Sequence, residues 1–223
     1  MPTLLHLDSS ARPESVSRQV SAEFAAAWRT ANPTGKHLHR DLTATPVPHV
    51  DAAQIEVVTR LETAGIRDLC DARDAAVTAE EKGSWSLTWE LVEEVLAADT
   101  VVIGLPMYNF SVPSAFKAWF DRIAIPPMIV DHTTGQGPLS GKQVVVVTAR
   151  GGAYGPGTPR HDSDFQEPYL RAAFAMVGLC DDLLFLHSEM TKSGHVPRLA
   201  EFRETAVGSL KEAVERAREA ARR

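Results

Sequence analysis

Residues 101–123 have the sequence VVIGLPMYNFSVPSAFKAWFDRI. They open with an apolar run over Val101–Gly104, which is typical of a strand whose two faces are both covered by helices. After the loop over residues 106–113, large apolar side chains recur at the spacing of one helix face, at Phe116, Trp119, Phe120 and Ile123. The stretch therefore predicts a strand, a loop and a helix, which is the repeating unit of a parallel α/β sheet.

Four other segments have the length and composition of strands, at Leu4–Leu7, His37–Leu42, Val144–Thr148 and Leu183–His187. Helical patterns separate them, such as the apolar stripe at Val20, Phe24, Ala27, Trp28 and Ala31. Strands that alternate with helices predict βαβ units, so we expect one α/β domain over residues 1–223. Five strands with these connections favour a doubly wound parallel sheet with the flavodoxin-like order 2-1-3-4-5 and helices on both faces. In that order the loops after the first and third strands face each other across one crevice.

The composition and net charge of the chain exclude several classes of function. The chain has 223 residues, of which 44% are hydrophobic and 23% charged, as is ordinary for a globular protein. The net charge of −6 argues against a nucleic-acid partner, and no apolar run reaches the roughly 18 residues of a membrane span. Residues 1–8 lack the pattern of a secretory signal, and two cysteines are too few for a disulfide framework. We therefore expect a reduced, cytoplasmic protein, with Cys180 as a buried packing residue.

Two segments connect the elements by unusually long routes. Residues 41–84 contain a proline-rich turn and then charged helical sequence without a strand, and residues 125–142 contain several prolines and glycines. Long excursions of this kind usually cover an active site or build an interface. We expect one of these roles for each segment.

The first loop, residues 8–17, is rich in hydroxyl groups and leads directly into a helix. Because a helix N-terminus offers unpaired N–H groups and partial positive charge, Ser10, Ser15 and Ser17 with the Val16 amide are suited to a phosphate. The alternative is that Ser15 or Ser17 only caps the helix. The loop has neither the Gly-x-Gly-x-x-Gly pattern of a dinucleotide site nor a P-loop, which favours a mononucleotide phosphate.

The second loop places two aromatic residues around an amide. Tyr108 and Phe110 are suited to flank a planar ring, and Asn109 can bond its heteroatoms. The alternative is that these aromatics plug the top of the core. In the third loop, Gly151-Gly152 permits a close backbone approach or positive φ, although a Gly-Gly pair after a strand is by itself only a turn.

Residues 106–122 closely resemble the central signature of the FMN-dependent NADH:quinone oxidoreductases, also called FMN-dependent NADH-azoreductases. Ala149–Gly152 and Pro168–Leu170 resemble that family's second signature, and the resemblance extends from the first strand to about Glu189. It implies a flavodoxin-like fold and a homodimer with tightly bound FMN at the subunit interface. It also implies a ping-pong reaction in which NADH or NADPH is the electron donor. The acceptor is a quinone, which takes up two electrons, or an azo compound, which is cleaved to amines.

The resemblance assigns FMN contacts to twelve residues. The phosphate contacts are Ser10, Ser15, Val16 and Ser17, and the ring contacts are Met107, Tyr108, Asn109, Phe110, Ala149, Arg150, Gly151 and Gly152. Position 149 departs from the family, which often has serine there, and the segment over residues 60–85 is longer and more charged than expected. The flavin carries the chemistry, so no catalytic side chain is required; Tyr154 and His161 are weak candidates for proton donors.

Alternatives remain on several points. A flavodoxin-like electron carrier that serves protein partners is a second hypothesis, but such carriers usually have a denser acidic rim than this chain offers. We predict no metal site: His37 and His39 alternate on a strand without an evident third ligand, and residues 161–164 have the composition of a solvated turn. We also expect a partner subunit because the aromatics exceed the needs of one small core, at Trp85, Trp89, Trp119 and Phe120.

Overall fold

A computed structural model describes residues 1–223 and contains one five-stranded sheet. The strands are β1 (Thr3–Asp8), β2 (Lys36–Asp41), β3 (Thr100–Pro106), β4 (Gln143–Ala149) and β5 (Asp182–Ser188). Every pair is parallel, and the order is β2-β1-β3-β4-β5. The predicted fold class and strand order are therefore confirmed, and each predicted strand lies within one or two residues of its observed bounds.

Seven α-helices cover the two faces of the sheet. They are α1 (Val16–Ala31), α2 (Ala52–Ala64), α3 (Leu69–Arg73), α4 (Ala79–Ala97), α5 (Ser114–Ile123), α6 (Gln166–Val177) and α7 (Arg203–Ala220). Short 3₁₀ segments occur at Pro126–Met128, His161–Ser163 and Pro197–Phe202. Helices α1 and α7 pack on one face, and α2, α4, α5 and α6 contribute to the larger core on the other. None of the helices is both long and apolar enough to cross a membrane.

The aromatic side chains that suggested a partner subunit are buried within the chain itself. Trp85, Trp89, Trp119 and Phe120 are all less than one-tenth exposed, and the indole N–H of Trp85 donates to the Ala72 carbonyl at 2.9 Å. The argument for a dimer from an excess of aromatics is therefore wrong. The predicted burial of Cys180 is also wrong, because the turn between α6 and β5 leaves it exposed.

The excursion over residues 41–84 folds into α2 and α3 and leads into α4. The buried guanidinium of Arg122, on α5, donates to the carbonyls of Pro48 and His49 at 2.7 Å each and so fixes the start of this segment. Thr78 and Glu81 form a capping box that begins α4. The segment is thus part of the helical layer beside α5.

Candidate functional site

Three loops meet at the carboxyl ends of β1, β3 and β4. The Met107 amide donates to the Ala149 carbonyl at 2.9 Å, and the Ala11 amide donates to the Tyr108 hydroxyl at 3.2 Å. These bonds join the second loop to the third and to the first. Together the loops line one cleft of about 490 Å³, a volume in the range of small-molecule sites.

The first loop leaves the N-terminus of α1 without protein partners. Ser15 is the N-cap residue, but its side chain makes no capping bond; its hydroxyl lies 2.9 Å from that of Ser17. The alternative that these serines only cap the helix is therefore wrong. No protein acceptor pairs with the N–H groups of Val16, Ser17 and Arg18, and the first turn contains no acidic residue. This arrangement favours an anion at the helix terminus.

Asp8 lies beneath this loop at the end of β1. Its carboxylate accepts a hydrogen bond from the Ser21 hydroxyl at 3.0 Å, which ties the strand to α1. Burial would raise the pKa of the Asp8 carboxyl, but the neighbouring His6 and His39 rings and Ser21 outweigh it and hold the pKa below its usual value. Gly104 on β3 leaves room for this carboxylate, because a Cβ there would lie 2.4 Å from an Asp8 oxygen.

The second loop is a tight turn with an unusual backbone. Tyr108 and Ser111 exchange two backbone hydrogen bonds of 3.0 Å, and between them Asn109 has φ 46° and Phe110 has φ 72°. Two successive positive φ values define a type I′ turn, in which a phenylalanine is strained. The side chains of Tyr108 and Phe110 are exposed, so the alternative that they plug the core is wrong.

In the third loop, the two glycines have different surroundings and neither has positive φ. A Cβ on Gly151 would lie 2.8 Å from the side chain of Lys192, so the missing side chain allows that lysine to cross the loop. Gly152 is buried, and its carbonyl accepts a hydrogen bond from the Met190 amide at 3.2 Å. Close approach is therefore the role of Gly151.

Comparison with known proteins places this architecture in a family. A family model described as a flavodoxin-like fold matches residues 2–208. An FMN-dependent NADH:quinone oxidoreductase of Nocardia farcinica is 42% identical over 218 residues, which cover 98% of this chain and 97% of the relative. A protein of the same name from Frankia casuarinae is 43% identical, with 91% and 90% covered. This chain belongs to the FMN-dependent NADH:quinone oxidoreductase family.

Solved structures with this fold agree over the whole chain. The azoreductase from Bacillus anthracis str. Sterne has a TM-score of 0.78 at 20% identity, and the match covers 100% of this chain and 99% of that one. An FMN-dependent NADH-azoreductase from Bacillus anthracis str. Ames Ancestor, in complex with FMN, has a TM-score of 0.77 at 23% identity, with 99% and 100% covered. This chain therefore shares its arrangement of strands and helices with proteins that are only distantly similar in sequence.

Most residues that the family resemblance assigns lie together. Eight of the twelve line the cleft: Ser10, Ser15, Val16, Met107, Tyr108, Asn109, Ala149 and Gly151. Phe110 lines a smaller adjoining pocket, and Ser17 lies behind Ser15. Arg150 and Gly152 line neither pocket. No residue of the 60–85 segment lines the cleft, so the length of that segment does not change the cleft wall.

A fourth loop, after β5, completes the cleft and was missed in the sequence. Thr191, Lys192 and His195 line the cleft, and Lys192 also borders the adjoining pocket. The Thr191 amide and hydroxyl both donate to the Arg150 carbonyl at 3.0 Å, which fastens this loop to the third one. The position of this loop was a general indication, because a loop at the carboxyl end of any central strand can reach the crevice. No local motif marked it.

The side chain of Arg150 is the centre of a buried ion-pair network. Its side chain is 2% exposed and lies 3.0 Å from Asp164, with Glu167 and Glu189 both at 3.7 Å. A hydrogen bond from His187 lowers the pKa of Glu167 to about 2, so this carboxylate is charged at neutral pH. These ion pairs join the third loop to residues near the start of α6 and the end of β5.

The weak candidates for proton donors occupy different positions. Tyr154 is 6% exposed and lines the adjoining pocket, with its ring centroid 6.4 Å from that of Phe110. His161 is exposed and lines neither pocket. Of the two, only Tyr154 lines a pocket beside the cleft.

Proposed function

We propose that this protein binds FMN in the cleft and uses NADH to reduce quinones by two electrons, with azo compounds as further acceptors. One observation carries the proposal: an anion-binding helix terminus and an exposed aromatic turn line the same cleft. The 42% identity to a relative named for this activity supports it. We also propose that residues 1–223 form one FMN-binding domain, because α7, which extends past the end of the matched residues 2–208, packs on α1.

The phosphate end of FMN is assigned to the first loop. The free N–H groups of Val16, Ser17 and Arg18 offer three donors, and the buried Ser10 and Ser15 hydroxyls offer two more. Hydrogen bonds to a charged phosphate contribute more than bonds between neutral groups. Because the bound anion replaces water at donors that are already oriented, little reorganisation opposes binding.

The ring end is assigned to the second and third loops. The exposed rings of Tyr108 and Phe110 lie on the strained turn, and the Gly151 backbone forms the opposite wall. Lys192 crosses this wall and brings a positive charge to the cleft. A cation there would stabilise negative charge on the ring system and attract an anionic nucleotide.

Bound FMN would supply the redox chemistry, accepting a hydride from NADH and passing two electrons to the acceptor. The chain positions the ring and leaves one cleft for both substrates. Because donor and acceptor would use the same opening in turn, the expected kinetic pattern is ping-pong. Tyr154, beside Phe110, is the side chain placed to hold a proton near this opening.

A homodimer is proposed on the apolar surface beside the cleft. Phe110 is 44% exposed and Phe165 is 60% exposed, and the Phe165 amide donates to the Phe110 carbonyl at 3.1 Å. A second subunit on this surface would cover both rings and shield the flavin from water. Light scattering of wild type and Phe165→Asp tests this: we expect a dimer and a monomer, respectively. Cytoplasmic residence is proposed because both cysteines are exposed and unpaired.

The function is tested with FMN-loaded protein under anaerobic conditions. NADH is expected to bleach the flavin, and a quinone or an azo dye is expected to restore its absorbance. In steady state, NADH oxidation should depend on the quinone, with parallel lines in double-reciprocal plots. NADPH measured alongside gives the donor preference.

A matched pair of variants locates the activity in the cleft. Tyr108→Ala is expected to lower the turnover, whereas Phe202→Ala, which removes an exposed aromatic outside the cleft, is not. Flavin that bleaches with NADH but passes its electrons only to a protein partner would instead indicate an electron carrier. Protein that takes up no FMN would end the proposal.

A further inference from the structure

A cluster of histidine and aspartate side chains lies outside the cleft, on the α1 side of β1 and β2. Side chains alternate along a strand, so His6 and Asp8 share one face of β1. The register aligns His6 with His39 of β2. The Nε2 atom of His39 lies 3.0 Å from an Asp8 carboxylate oxygen, and the Nε2 atom of His6 lies 3.4 Å from the same oxygen.

His6 is buried without hydrogen-bond partners. It is 4% exposed, and neither its Nδ1 nor its Nε2 atom has a partner within hydrogen-bond geometry. A neutral imidazole carries one N–H donor and one acceptor, and buried polar groups that lack partners are rare because they destabilise the fold. The nearest charged group is the Asp8 carboxylate, 3.4 Å from the Nε2 atom of His6.

We propose that His6, Asp8 and His39 form a binding site for a divalent transition metal of the zinc class. Bonds of about 2.0–2.1 Å in a tetrahedral site separate adjacent ligand atoms by about 3.3 Å. The observed separations from the Asp8 oxygen, 3.0 and 3.4 Å, bracket that value. All three ligand atoms lie within 4.8 Å of one another, and the side chain of His39 is half-exposed and so free to adjust to an ion.

The fourth position of this site faces solvent. A cleft of about 450 Å³ opens beside the three side chains and is also bordered by Glu14, Ser15 and Gln19. Water, Glu14 or Gln19 can complete four-coordination. Two imidazoles and one carboxylate suit Zn²⁺, Co²⁺, Ni²⁺ or Cu²⁺ and not Mg²⁺ or Ca²⁺, which prefer oxygen ligands alone.

Arg18 is the cation that contacts the proposed ligand oxygen of Asp8, and this contact is the longer of its two ion pairs. Its guanidinium lies 3.6 Å from Asp8 but 2.8 Å from Asp41, and it donates to the Ser10 carbonyl at 2.7 Å. Arg18 therefore keeps its shorter contacts when a metal takes the Asp8 oxygen. A bound ion would join β1 to the edge strand β2 directly below the first loop, independently of FMN.

The test is a calorimetric titration of tag-free, FMN-loaded, chelator-treated protein with Zn²⁺. We expect one ion per chain, and Co²⁺ should produce visible bands of a tetrahedral complex beyond the flavin absorption. His39→Asn should weaken Zn²⁺ binding at least about 10-fold, since even outer-shell partners of metal ligands account for that much. His37→Asn is the matched control, because His37 stacks on His6 with ring centroids 5.5 Å apart but supplies no ligand.

The side chain of His39 is 46% exposed, so its replacement should leave the fold intact, which circular dichroism checks. His6→Gln repeats the test at the buried ligand. A Zn²⁺-dependent rise in melting temperature should occur in wild type and His37→Asn and be lost in His39→Asn. Binding below one equivalent, or equal affinity in wild type and His39→Asn, would overturn the proposal. FMN content and NADH turnover are separate readouts, so failure here leaves the cleft proposal unaffected.

Discussion

The strained turn at Phe110 permits a test that separates backbone strain from ring contact. Its φ of 72° lies in the left-handed region, which disfavours an L-residue by about 1–2 kcal/mol. Glycine relieves this strain but loses about 0.5–1 kcal/mol to the greater entropy of the unfolded chain. Phe110→Gly should therefore be more stable than Phe110→Ala by about 0.5–1 kcal/mol, although both remove the same ring.

Urea denaturation and thermal melting of the FMN-free variants measure this difference. For a chain of this length, 1 kcal/mol corresponds to about 2–4 °C in melting temperature, so we expect the glycine variant to melt about 1–4 °C above the alanine variant. Both variants should bind FMN about 10-fold more weakly than wild type if the ring stacks on the flavin. Equal stability of the two variants would refute the strain, and full FMN affinity in either would refute the ring contact.

Three other perturbations have outcomes fixed by local packing and charge. Gly104→Ala should destabilise the fold by about 1–3 kcal/mol in urea titration, because its added methyl lies 2.4 Å from a buried carboxylate oxygen. The control is Gly83→Ala, in an open helix position, which should stabilise the fold by about 0.5–1 kcal/mol. Arg150→Met should cost about 1–3 kcal/mol because it removes a buried cation from three partly buried carboxylates. Arg171→Met, at an exposed ion pair, should cost less than about 1 kcal/mol; similar losses in both would contradict the network. Burial lowers the pKa of His37 from 6.5 to about 4, so its contribution to the unfolding free energy is complete above pH 6.5 and lost as pH falls toward 4. Because solvent screens this partly exposed ring, His37→Asn should flatten that decline by only about 1–2 kcal/mol, and an unchanged pH profile would contradict the shift.

The fold was predictable because its determinants are local and repeated. Apolar runs of strand length alternate with helical stripes, and that alternation leaves few parallel topologies. The apolar runs identified β3 and β4 directly, and the serine-rich loop before Val20 identified the start of α1. The convergence of the three loops then follows from the strand order.

Side-chain direction and register were not predictable from the same patterns. Arg150 follows a strand directly, but whether its side chain enters the cleft or the core depends on the path of the loop. Asp164, just before α6, and Glu167, on α6, pair with it in the core. The cluster of His6 with His39 requires the register of β1 and β2, which places these two residues opposite each other. Lys192 reaches the cleft only because Gly151 has no side chain, a contact that no local motif encodes.

The central claim is that one cleft holds both ends of FMN, and paired titrations of FMN-free protein with FMN and with riboflavin test it most directly. Ser15→Ala should lower the affinity for FMN about 10-fold and leave that for riboflavin unchanged, because the hydroxyl is assigned to the phosphate. Tyr108→Ala should weaken both ligands about equally, because its ring is assigned to the flavin. Equal effects of Ser15→Ala on the two ligands, or no effect of either variant, would contradict the account.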